Sequence, residues 1–418
     1  FFEKPPLVYW AQIIGYKIFG VGPWGARILN AGAALALLFA LFRFARPALG
    51  SRGAWLTAII LGTSLEYFAL ARVTLTDTFL SLWFVLCFGW FHRARVQFDR
   101  DGGGHRAFWL ACTAAGLATL TKGAIGILLP AATAVTLMVI ERRARPVLSW
   151  RWFVPGALIL LGLGLSWYVA LGFTHPEGFG FMKELFLEHH VGRFLEPMQG
   201  HSGPFFYYLP VLLVGFLPWS PFAVGAVVRA ARQQIPARER ASFVQVFLIF
   251  AAWTLLLFSA AGTKLPNYVA PLLPALAVAV AERFDARWGA APSNSERRGT
   301  VLLAGIFGAL ALIFAGLPIV IANLRSIIGD KVEKEPGLLE PIALGLLPAA
   351  TALVLAGGSH PALARAASED RAAYPDRRRD DGTVSVPARH GLAPHLRQDC
   401  PGAAQRRGAH RRPGVATR

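Results

Sequence analysis

Apolar runs of about 14 to 24 residues recur along this chain, separated by short stretches rich in charge, glycine or proline. A hydrocarbon layer about 30 Å thick asks this length of a crossing helix, at a rise of about 1.5 Å per residue. The pattern predicts an all-α polytopic integral membrane protein with about eleven transmembrane helices. They fall near Ile28 to Phe42, Ala54 to Ala71, Leu75 to Phe91, Ala107 to Leu120, Ala124 to Ile140, Phe153 to Leu171, Phe205 to Val228, Phe243 to Ala261, Tyr268 to Ala281, Val301 to Ala322 and Pro341 to Gly357. Residues 1–27 read as an outer loop, 28–357 as the helical domain with a long outer loop at 172–204, and 358–418 as a tail.

Composition agrees: 55% of the 418 residues are hydrophobic, 16% are charged, and the mean hydropathy is +0.46. The net charge of +18 would suggest nucleic acid if the charges formed one basic face. Instead nineteen arginines, among them Arg43, Arg95, Arg142, Arg240 and Arg283, fall in alternate loops. Basic residues resist translocation, so those loops are predicted to be cytoplasmic. The opposite loops hold Glu177, Glu184, Glu188, Glu196, Asp330, Glu333, Glu335 and Glu340 and are predicted to face outward. The charge is then largely topology, and no nucleic-acid partner is expected.

From Pro361 the chain holds twelve arginines and no Lys, Ile, Phe, Trp or Met, a composition that cannot build a core. It reads as a disordered basic tail or as an out-of-frame translation. Cys87, Cys112 and Cys400 form no Cys-x-x-Cys pair and are expected to be plain thiols. The first residue is Phe1, with no secretory leader pattern after it, and the chain reads as a fragment.

Ionisable groups near or inside membrane spans are costly, so those on the predicted outer side are candidates for function. Asp77 opens an otherwise uncharged run, either as a helix cap or in a catalytic or lysine-orienting role. Lys4, followed by Pro5 and Pro6, is either a stiffly held cation for an anionic group or an interface lysine. Lys122 precedes Gly123 in an order that is not a Walker loop, and is a turn lysine or a ligand contact. His189 and His190 lie beside Glu184 and Glu188, so ligands for a zinc-like divalent ion are available. Arg193 could grip a phosphate with its planar fork or pair with Glu196. Lys264, Tyr268 and His201 add further donors on the same side.

The order of these motifs resembles a known family. Phe2-Glu3-Lys4-Pro5-Pro6, Thr76-Asp77-Thr78, Thr121-Lys122-Gly123, His189-His190-Val191-Gly192-Arg193-Phe194, Gln199-Gly200-His201-Ser202-Gly203-Pro204, Leu217-Pro218-Trp219 and Lys264-Leu265-Pro266-Asn267-Tyr268 are similar to the family 39 glycosyltransferases of the GT-C class. Within it they resemble the protein-mannosyltransferase-like group that includes the bacterial 4-amino-4-deoxy-L-arabinose lipid A transferases. The resemblance covers about residues 1 to 357.

It implies a GT-C-like membrane domain in the bacterial inner membrane, with outer-face loops forming the active site. It also implies inverting transfer of a sugar from a polyprenyl-phosphate donor to a lipid A-like, other glycan or protein acceptor, with no nucleotide cofactor. Lys4, Arg193 and Tyr268 would contact the donor phosphate, with Lys122, Lys264 and His201 nearby. Glu3, His189 and His190 would hold a divalent metal, and Asp77 would support the charged network around Lys4. The family's main catalytic Asp lies upstream of the Lys-Pro-Pro motif, so the 418 residues alone are expected to be inactive. A multispan transporter or flippase of an amphipathic anion is the alternative, although no internal repeat supports it.

Overall fold

The structure, a computed structural model, describes residues 4–142, 149–180 and 203–290, with some positions between 294 and 309. Two units divide at His360, and the second, Pro361–Arg418, lies outside the described residues. So does the expected span from Pro341, and most of the one from Val301.

The described residues are helical, with no strand among them. In chain order the helices are α1 (Leu7–Phe19), α2 (Pro23–Gly62), α3 (Leu65–Leu70), α4 (Thr76–Asp101), α5 (His105–Lys122), α6 (Ile125–Glu141), α7 (Trp150–Gly164) and α8 (Ser166–Thr174). There follow α9 (Tyr208–Gly215), α10 (Ser220–Ala231), α11 (Arg238–Ala260), a 3-10 turn (Pro266–Leu272) and α12 (Leu273–Ala286). By length and apolar content α2 and α11 can cross a membrane, and up to four segments can if each bent pair counts as one span.

The span expected from Ile28 to Phe42 and the first half of the one from Ala54 to Ala71 are the arms of a hairpin; the second arm stops at Gly62, and α3 follows as a separate helix. Gly50 takes φ 77° and ψ 174° inside α2, a conformation closed to most L side chains, and the chain reverses there. Phe42 and Trp55 then stack at 4.7 Å, and Gly62 packs against Leu38. The α5–α6 hairpin is tighter: Gly123, at φ 74°, ends α5 by returning its N–H to the Thr119 carbonyl at 2.8 Å. Gly126 then lies against the Thr119 backbone with no room for a side chain.

Helix α4 is the axis of the bundle. Phe84 and Phe88, one turn apart, meet Phe250 of α11 at 5.0 and 4.5 Å, and His92 meets Phe243 at 5.2 Å. Spacing of three or four residues puts these rings on one face of each helix, as helix-on-helix packing requires.

The straight span expected from Phe205 to Val228 is not found. Helices α9 and α10 meet at 113°, and the eight residues of α9 span only about 12 Å, too little to cross a bilayer. Pro218 has no amide hydrogen to continue a helix. The freed carbonyls bond elsewhere: the Leu65 N–H donates to Leu217 and the Ser220 hydroxyl to Leu213, and the Trp219 indole pins the bend by donating to the Thr63 hydroxyl. A milder bend of 47° splits the expected span Phe153 to Leu171 into α7 and α8. Of the aromatics before the bend, Phe205 and Phe206 are exposed, whereas Tyr208 is fully buried.

At the arginine-rich end several arginines meet buried acids of α12. Arg52 and Arg240 clasp Asp285 at 2.7 and 2.8 Å, and Arg229 reaches Glu282 at 3.3 Å. These residues, expected to mark topology, also tie α2, α10 and α11 to α12.

Candidate functional site

At the opposite end, the start of α4, the end of α5 and the 3-10 turn converge on Asp77. Its side chain is 1% exposed. It stands second in α4, with no side-chain capping bond at that helix start, so its carboxylate is directed to tertiary partners. Lys122 Nζ lies 2.6 Å from Oδ1, and the Asn267 amide donates to Oδ2 at 2.7 Å. Both carboxylate oxygens are thus satisfied, one by a cation and one by a neutral donor, as a buried charge demands.

Lys122 is the last residue of α5, 13% exposed, and its ammonium also lies 4.4 Å from the centre of the Tyr268 ring. A cation over an aromatic face is attracted by the ring quadrupole. Phe258 supports the same ring from α11 at 5.0 Å. The lysine engaged by Asp77 is therefore Lys122, whereas the motif resemblance tied Asp77 to Lys4. Lys4 is half-buried just ahead of α1, with no ion pair among the described residues.

Lys264 turns inward. Its ammonium donates to the carbonyls of Ser259 at 2.7 Å and Ala261 at 2.8 Å, with Phe258 more distant at 3.4 Å. Burial pushes its pKa below the usual lysine range. Gly203 sits over the Lys264 stem, where a side chain would crowd it, so the Gly-Pro motif and the Lys-Leu-Pro-Asn-Tyr motif meet in space.

Two contributors had no role assigned from sequence. Asn267 was quoted only inside its motif, and its bond to Asp77 spans 190 positions. Asn30, 2% exposed on α2, donates its amide to the carbonyls of Leu70, Ala71 and Val73 at 2.9, 3.3 and 2.8 Å. That bond set fixes the loop that delivers Asp77. An asparagine inside an apolar run was the available signal, since a buried amide must find partners. Glu66 of α3 reaches the same end and packs on Gly215, its carboxylate oxygens buried.

Glu3, His189, His190, Arg193 and His201 lie outside the described residues. Among the described residues no cluster of three His, Cys, Asp or Glu could hold a metal ion, and the expected trio is not among them.

Residues 3–168 match the family model described as dolichyl-phosphate-mannose-protein mannosyltransferase. The undecaprenyl phosphate-alpha-4-amino-4-deoxy-L-arabinose arabinosyl transferase of Edwardsiella ictaluri is 29% identical over 328 residues, covering 76% of this chain and 56% of that protein. The chain is related to the GT-C glycosyltransferases. An uncharacterized protein of Aquifex aeolicus is 30% identical over 290 residues, covering 68% of this chain and 54% of its own length. The chain thus spans about half the length of the curated relatives it matches. Among solved structures, ArnT from Cupriavidus metallidurans bound to undecaprenyl phosphate superposes with a TM-score of 0.65 at 23% identity, covering 89% of this chain and 70% of that one. The apo form gives 0.59 at 25% identity, with the same coverage. The GT-C-like fold expected from the motif order is therefore present, with the Asp77 junction at one end of its bundle.

Proposed function

We propose that this chain is the membrane domain of a glycosyltransferase that moves a sugar from a polyprenyl-phosphate donor to a lipid, glycan or protein acceptor at the outer face. The junction of Asp77, Lys122, Asn267 and Tyr268 carries the reading. It gathers three separated family motifs at the end of the bundle opposite the arginines, the end that faces outward by the positive-inside rule. The relatives' names support a lipid-phosphate donor.

In the reaction, the bond from the sugar's anomeric carbon to the phosphate oxygen breaks, and a bond to the acceptor oxygen forms on the opposite face, inverting the centre. The acceptor's proton goes to a base, and negative charge grows on the departing phosphate. Cations and hydroxyl donors aimed at that phosphate lower the barrier. Lys4, Arg193 and Tyr268 take this role in our reading. Asp77 acts through Lys122, holding the cation against the Tyr268 ring so that the ring, and with it the phenol, keeps its place. Lys122 and Lys264 are engaged elsewhere, so they tune the local field, with His201, from the periphery. Glu3, His189 and His190 are the proposed ligands of a divalent metal.

Donor binding tests this without an acceptor. The chain in nanodiscs is titrated with undecaprenyl phosphate, and complexes are counted by native mass spectrometry. Tyr268→Phe should weaken binding about tenfold to a hundredfold, the worth of one hydrogen bond to a charged group, with thermal stability unchanged. Equal binding by wild type and a Lys4→Met, Tyr268→Phe double variant would overturn the assignment.

A further inference from the structure

At the arginine-rich end, α4, α6 and α11 line a half-open cavity of about 1780 Å3, with the end of α10 and the following loop along one side. It lies far from the Asp77 junction: eighteen residues of α4 separate Asp77 from Arg95 on its wall, about 27 Å along the helix. Small-molecule sites usually hold about 300–1,000 Å3, so this space suits something larger.

Its lining follows one rule on each wall. Moving out along α4 it passes from Phe91 to Arg95 and Arg100; on α6 it passes from Leu137 to Arg142; on α11 it passes from Ile249 to Arg238. The interior is apolar and the mouth is charged. At that mouth Arg95 pairs with Glu141, Arg100 with Glu239 at 3.6 Å and Arg238 with Asp99 at 3.5 Å. Those three pairs cancel. Arg142 is left exposed, without a side-chain partner among the described residues, and the second terminal nitrogen of Arg95, Nη1, is buried with no hydrogen bond. Arg142 follows Glu141 at the end of α6, so one net positive charge stands above an apolar space.

We infer that this cavity binds an anionic phospholipid, its headgroup against Arg142, its acyl chains along Leu137 and Ile249. The match is one of charge and of polarity gradient, because a phospholipid is the membrane molecule with an anionic head on a bulky apolar body. Basic pockets between membrane helices on the arginine-rich side recognise such headgroups. This inference does not depend on the glycosyltransferase reading.

The test uses the full chain, delipidated in detergent and titrated with phosphatidylglycerol or phosphatidylcholine, bound lipid being counted by native mass spectrometry. Phosphatidylglycerol should be retained about fivefold better, the worth of one arginine near a lipid phosphate. Arg142→Gln, an exposed substitution that leaves folding intact, should erase that preference. Ile249→Trp, which puts bulk in the path of the acyl chains, should reduce retention of both lipids, and millimolar inorganic phosphate should not displace them. Equal retention of the two lipids by wild type, or an unchanged preference in Arg142→Gln, would overturn the inference, as would displacement by inorganic phosphate.

Discussion

Replacing Lys122 by Met tests the centre of the site, since it removes the cation from a carboxylate that is 1% exposed and keeps only the Asn267 amide as its partner. At 2.6 Å and an effective dielectric of about 20, the lost attraction is about 6 kcal/mol before desolvation is counted. Removing one member of a buried pair leaves an uncompensated charge, and measured costs run about 3–5 kcal/mol. Asp77→Asn should cost a similar amount, because it strands the ammonium. The double variant Asp77→Asn, Lys122→Met removes both charges and keeps comparable volume, so its cost should be well below the sum, about 1–2 kcal/mol. The coupling energy then comes to several kcal/mol. The assay is unfolding in detergent followed by tryptophan fluorescence, over a denaturant series that brings all four proteins onto one scale. If the two single changes add to within about 0.5 kcal/mol, the pair is not coupled and the account of the site is refuted.

Other consequences follow from neighbouring contacts. Asn30→Ala should destabilise by about 1–3 kcal/mol, because three carbonyls of the loop before α4 lose their donor; amide exchange at Leu75 to Thr78 should quicken, and protection equal to wild type would count against it. Asp285→Ala removes the acid shared by Arg52 and Arg240 and should cost about 1.5–3 kcal/mol, the worth of its hydrogen bond to Arg240, which keeps Glu282 at 3.9 Å, whereas Arg52→Ala, at a half-exposed partner, should cost about 1 kcal/mol or less; equal losses in thermal melts would refute that ranking. Gly123→Ala forces a side chain into a positive-φ turn and should lower stability by about 1–2 kcal/mol. An unchanged melting temperature would mean that the turn relaxes.

The periodicity of apolar runs was enough to locate most helices, since a span's length and composition are local properties. Leu75 to Phe91 and α4, or Ala124 to Ile140 and α6, agree to within a few residues at their starts. The local signal failed where tertiary bonds decide. The run from Phe205 is apolar throughout, yet it breaks at Pro218, where the Leu217 carbonyl freed at the bend accepts from the N–H of Leu65 and Thr63 holds the Trp219 indole, 156 positions away. At the site, Asp77, Lys122 and Tyr268 were all legible as unusual polar residues on one face. Their pairing was not, because neighbouring helix ends can be matched in several ways until the packing of α4 on α5 and the 3-10 turn selects one. Asn30 stayed silent because a lone amide in a helix carries no pattern.

The hairpin of α2 bears on biogenesis. Its arms zip onto each other through Leu38 with Gly62 and Phe42 with Trp55, and Asn30 binds carbonyls no further along than Val73, so residues 23 to 75 complete their mutual contacts within one short stretch of synthesis. Arg52, near the tip of that hairpin, has its acid at Asp285, 233 residues downstream. During translation, roughly the first quarter of the bundle is therefore finished early, with one charge at its tip waiting for α12. When α12 arrives, Asp285 latches that early hairpin to it, so this one ion pair closes a loop of 233 residues.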